Sequence, residues 1–162
     1  MTKSTLGELL EKKAESYRSE AEKNKFVIDD WVEAIRKFHS DIRGWLASSD
    51  PKGNLQLEVK TADIAEPNVG RYEAPRMDFR AFGKWVGLIP KALKTIKSAR
   101  PSQSTAPVRA TGRVDLTDEL VRYVLYRFTD ADGDSWFIEG PTDGLHPLTQ
   151  QRFEEALMSY FQ

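Results

Sequence analysis

At 162 residues, 40% of them hydrophobic and 30% charged, the chain is long enough to bury one substantial core and reads as a single domain, 1–162. It holds no cysteine, which excludes disulfides, thiolate catalysis and sulfur-ligated zinc. A net charge of −1 selects no acidic or basic partner, and charged residues interrupt every apolar run before it reaches bilayer-spanning length. The expectation is a soluble, cytoplasmic protein with no membrane partner and no cofactor.

In chain order, Thr5 followed by Glu8 has capping-box spacing, and Leu6, Leu9, Leu10, Ala14 and Tyr17 recur on one helical face. A polar break at Lys23-Asn24-Lys25 precedes a stronger stripe, Ile28, Trp31, Ile35, Phe38, Ile42 and Trp45, spaced alternately by three and four residues. Such a stripe needs an apolar partner; a helical hairpin over 1–49 supplies one, and the sheet or a second copy of the chain are the alternatives. Ser48-Ser49-Asp50-Pro51-Lys52-Gly53 then ends the helix.

From Leu55 the period changes to two: Leu55, Leu57 and Val59 alternate with Gln56, Glu58 and Lys60. Pro67 and Pro75 bracket a second extended stretch, which suits an edge position, and Met77 to Ile89 continues extended with Gly83 and Gly87 as punctuation. Pro90 opens a predicted basic amphipathic helix near 91–99, with Ala92, Leu93, Ile96 and Ala99 on one side. A mobile loop is expected near 101–110. Val114 and Leu116 suit a strand, and Thr117-Asp118-Glu119 a turn. Val121 to Glu139 reads as a β-hairpin turning at Asp132-Gly133, with Phe128 set opposite Phe137. Thr149 caps a last helix over 148–161 whose inner face carries Phe153, Ala156, Leu157 and Tyr160. The expected fold class is α+β: an N-terminal helical hairpin, an antiparallel, curved sheet of about five or six strands over 54–140, a short basic helix midway and a C-terminal helix.

The charge distribution is uneven. From Phe79 to Val114 there is no acid and there are eight bases, leaving a net of −9 elsewhere. Of these, Arg80, Lys84, Lys91, Lys94, Lys97 and Arg100 are the candidate binding residues: a cationic track of this kind suits phosphates, with Phe82 and Trp85 available to stack on bases. A positive patch that docks on the acidic part of this or a second chain is the plainer alternative.

Two short motifs carry possible chemistry. Asp130, Asp132 and Asp134 place carboxylates at alternate positions as at the opening of a calcium loop, and so are weak metal-ligand candidates; Ser135 stands where such a loop needs glycine and Pro141 where it needs glutamate. Leu57-Glu58-Val59-Lys60-Thr61 resembles the strand of the PD-(D/E)xK nucleases that carries the Glu-x-Lys pair. That resemblance implies a magnesium-binding Glu58 and a water-positioning Lys60 on one face of a strand. The family also has an acid on a preceding strand, where this chain has a predicted helix. His39, beside the helical stripe, and His146, in a loop, read as packing and loop residues. With no convergent catalytic set in view, the expected function is a non-enzymatic binding or protein-interaction module, engaging a protein partner or a second copy of itself. Nucleic-acid binding comes second, and metal-dependent nuclease action third.

Overall fold

The computed structural model describes residues 5–99 and 107–162; Arg100 and most of the loop read over 101–110 lie outside them. The chain is α+β, ordered as helix α1 (Thr5–Ser49), strands β1 (Gln56–Glu66), β2 (Gly70–Ala81), β3 (Lys84–Ala92), β4 (Ser98–Ala99), β5 (Val108–Arg109), β6 (Gly112–Thr117), β7 (Arg122–Asp130), β8 (Gly133–Glu139) and β9 (Leu145–Pro147), and helix α2 (Gln150–Phe161). Seven strands form one antiparallel sheet in the order β1-β2-β3-β6-β7-β8-β9, and β4 and β5 form a two-stranded one, more than the five or six strands expected.

The expected helical hairpin is instead one helix of 45 residues. Lys23-Asn24-Lys25 is polar but contains neither glycine nor proline, so nothing in its backbone chemistry stops the helix. Asn24 turns its amide outward to the carbonyl of Asn68. Termination comes at Asp50, whose carboxylate accepts the backbone N–H groups of Asn54 and Leu55. Gly53, at φ 67, completes the reversal.

The second half of α1 seats its stripe on the sheet. Trp31, Ile35, Phe38 and Ile42 are each no more than 2% exposed and pack with Met77, Phe79, Leu88, Leu116, Leu125 and Ile138 from alternate positions of five strands. Aromatic contacts tie the layers together: Phe38 stacks on Trp136 at 4.5 Å between centroids, and Phe153 of α2 lies 6.3 Å from Phe38 and 6.2 Å from Phe79. Thr149 caps α2 as expected, its hydroxyl accepting Arg152 N–H at 3.1 Å.

The β7–β8 hairpin is present with a different register. Gly133, not Asp132, takes the positive φ, so Ala131-Asp132 forms the loop, Asp130 pairs with Gly133, and Phe137 sits opposite Tyr126. Phe128 faces Ser135 and meets Phe137 diagonally, edge to face at 5.3 Å. Tyr126, Phe128 and Phe137 point to the face opposite α1, where Ala99, Val108 and Ala110 cover them in a second small core.

Tertiary partners explain why no basic helix forms near 91–99. Pro90 and Ala92 continue β3 with a register shift, Leu93 is buried, and the Glu66 carboxylate accepts the N–H groups of Leu93 and Lys94. Ser98 and Ala99 then pair with Arg109 and Val108. Four apolar residues at helical spacing are overridden by backbone partners supplied from distant strands. Pro75 lies in the part of β2 that pairs with β1 alone, where a missing N–H is tolerated. No helix among the described residues is long and apolar enough to cross a membrane.

Candidate interaction surfaces

The candidate cationic residues do not share one surface. Arg80 and Lys84 flank the β2–β3 turn, and Lys84 donates to the Gln162 carbonyl at 2.8 Å. Lys91 lies near the other end of β3 and Lys94 just beyond it, roughly 23 Å or more from Lys84 for a strand of this length. Lys97 is paired with Glu139 at 2.6 Å, which raises its ammonium pKa. Lys94, Lys97, Arg109 and Arg113 line one cavity of about 710 Å³ with Tyr126 and Ile96, but Arg113 is spent on Asp115 at 2.8 Å. The structure thus divides the block into two clusters and neutralises part of one.

The Glu58-x-Lys60 pair lies on β1, one of the two edge strands of the seven-stranded sheet, on the sheet face opposite α1. Asp78 stands across from Glu58, and Lys60 Nζ lies 3.2 Å from Asp78 Oδ2 and 3.8 Å from Glu58. An acid on the adjacent strand is therefore present, contributed by the strand after the motif instead of before it. Asp78 is 1% exposed; burial opposes its ionisation, yet the bonds from Arg76 and Lys60 outweigh that and hold its carboxyl below the usual range. Arg76 bonds one Asp78 oxygen through both Nε and Nη2, at 3.2 and 2.7 Å, and Lys60 approaches the other. Cations of the chain occupy the lone pairs a metal would need. Asp115, also 1% exposed, is likewise held by Arg113 and Arg122.

Two of the three aspartate carboxylates at the hairpin tip, those of Asp130 and Asp134, are engaged in bonds within the chain. Asp130 accepts the N–H of Asp132, and Asp134 accepts the Thr129 hydroxyl and the Arg127 guanidinium. No group of three or more acids or histidines suited to a metal occurs among the described residues. His39 is 6% exposed on α1, and burial, reinforced by Arg43, pushes its pKa down to about 4. His146 sits half-buried in β9, opposite Ile138.

Two apolar surfaces emerge that the residue pattern did not single out as sites. The first is a groove of about 720 Å³ between the end of α1, the β2–β3 turn and α2. Leu46, Leu55, Ala81, Leu157 and Phe161 form its floor; Met158, 53% exposed, and Phe82, 80% exposed, stand on its margin. Its charged rim residues are Asp50, Glu154 and Glu155, with no base among the lining residues. Phe82 and Gly83 form the two-residue turn between β2 and β3, with φ 53 and 75. Both positive values mark the turn type that favours Asn-Gly, so a phenylalanine at its first position is strained by about 1 kcal/mol. A bulky side chain held in a costly backbone state, and then left in solvent, has no explanation in the packing of this chain.

The second surface is the free part of α1. Every residue from Thr5 to Lys23 is exposed, an arm about 28 Å long. Leu6, Leu10 and Tyr17 on it are 63, 58 and 77% exposed. The one sequence signal for the groove is Phe82-Gly83, which stands between two alternating runs with hairpin-turn spacing, although the residue pattern reads as extended through it. Comparison with protein-family models, with curated proteins and with solved structures finds no match to this chain.

Proposed function

We propose that the chain is a non-enzymatic protein-interaction module that holds an apolar, base-flanked segment of a partner in the groove at Phe82. The single observation that carries this reading is Phe82 itself, at φ 53 and 80% exposed on the margin of an apolar cavity. Strain retained without a packing return points to use. The apolar floor suits the anchors that an amphipathic segment presents on one face, and the acidic rim suits Lys or Arg beside those anchors. Photo-cross-linking from Phe82 and Met158, compared with a control position on the far face of the sheet, tests it.

A second reading, nucleic-acid binding, draws support from the cavity where Lys94 and Arg109 join Lys97 and Arg113. An electrophoretic mobility shift at low salt, where phosphate contacts are strongest, tests that reading; no shift removes it.

A further inference from the structure

We infer that two copies of this chain pair through their N-terminal arms as an antiparallel two-stranded coil. The inference rests on the interaction-module reading only in treating the arm as a contact surface; the groove takes no part in it.

The seam that seats Trp31 and Ile35 on the sheet runs backward at the same alternate spacing through Ile28, Asn24, Ala21, Tyr17, Ala14 and Leu10. On the body the sheet covers it; on the arm, from Thr5 to Lys23, no described residue does, and every position is exposed. The seam alternates large with small residues. An antiparallel register that faces Ala14 with the partner's Tyr17 also faces Leu10 with the partner's Ala21, so each layer joins one large and one small side chain.

Charge selects this direction. In that register the flanking positions set Lys13 against the partner's Glu20, Glu11 against the partner's Arg18 and Leu6 against the partner's Val27, and the two-fold repeats each pair. All three matches are complementary, and the last covers two exposed apolar residues, Leu6 at 63% and Val27 at 42%. A parallel pair would match Glu20 with the partner's Lys25 but set Lys13 against the partner's Arg18 and Leu6 against the partner's Glu11, so it gains one complementary pair against a cation on cation and a leucine on carboxylate. In the antiparallel arrangement the two bodies lie at opposite ends of the paired arms and do not collide.

Sedimentation equilibrium of the full chain tests the proposal. A concentration-dependent dimer is expected; Lys13→Glu and Glu20→Lys should each weaken it about tenfold, because every substitution acts at two symmetric pairs, and the double swap should restore it. Phe82→Asn should leave the dimer unchanged, so loss of the groove reading does not touch this one. A strictly monomeric chain overturns the proposal. A Lys13→Glu dimer as tight as the parent or tighter overturns it in favour of parallel arms, and a dimer weakened by Phe82→Asn overturns it in favour of an arm seated in another copy's groove. Far-ultraviolet circular dichroism of both charge variants should show the body and helix retained.

Discussion

Arg127 Nη2 of β7 lies 2.9 Å from Asp30 Oδ2 of α1, across 97 positions of sequence. The guanidinium is 5% exposed and takes a second carboxylate, Asp134, also at 2.9 Å. Asp30 sits one residue before Trp31, where the helix first enters the core. The pair therefore fixes the point at which α1 stops being an arm and becomes part of the body.

This arrangement makes the two acids mutually redundant. Asp30→Asn or Asp134→Asn alone leaves Arg127 one carboxylate, and each should cost about 1 kcal/mol or less. Together they strand a buried cation, and the double substitution should cost about 3 kcal/mol or more, beyond the sum. Urea denaturation of the four proteins in the cycle measures the coupling; strict additivity would contradict the role given to Arg127.

Trp31 requires Gly112. A Cβ built on Gly112 would lie 2.1 Å from the indole ring, which is 0% exposed and has no room to withdraw. Gly112→Ala should lower stability by about 1–3 kcal/mol through overpacking, read as a lower denaturant midpoint at unchanged slope. An unchanged midpoint would mean that Trp31 is not held where the structure places it.

Phe82→Asn should act in the opposite direction on stability. Asparagine tolerates the left-handed conformation, and the lost side chain is mostly in solvent, so the variant should gain about 1 kcal/mol. Thermal or urea unfolding shows this directly. A destabilised variant would assign Phe82 a structural purpose and remove the reason for reading it as an interaction residue.

His39 gives the fold an acid-sensitive component. Its folded pKa of about 4 lies below the unfolded 6.5, so as pH falls through this window the unfolded chain binds a proton that the native one refuses. Stability falls with it, by roughly 3 kcal/mol over the full window. Between pH 7 and 4.5 the parent should lose clearly more stability than His39→Gln, while the lowered carboxyls of Asp50, Asp78 and Asp118 affect both alike. Equal losses would contradict the burial of a neutral imidazole.

Much of this architecture was legible in the residue pattern where local chemistry and tertiary context agree. Thr149 and the stripe of α2, the Asp118 turn, the alternation from Leu55 and the body of the β7–β8 hairpin are such places. The single long helix is not legible because the polar run Lys23-Asn24-Lys25 reads as a break, although it lacks a residue that stops a helix. The segment near 91–99 reads as a helix because its four apolar positions carry no information about Glu66, which supplies its backbone partner from another strand. The groove was hidden for a related reason. Phe82 has the composition of a strand residue, and only its backbone angle and exposure separate it from Phe79, three positions earlier and fully buried.

Photo-cross-linking is the most direct test of the groove as an interaction site. A photoreactive phenylalanine analogue replaces Phe82, Met158 or, as a control, Lys60 on the opposite face of the sheet, and each protein is irradiated in the cells that produce it. The account expects one shared adduct from positions 82 and 158, absent from position 60, whose cross-linked peptide is apolar and flanked by Lys or Arg. The same adducts from all three positions, or none from 82 and 158, would contradict it.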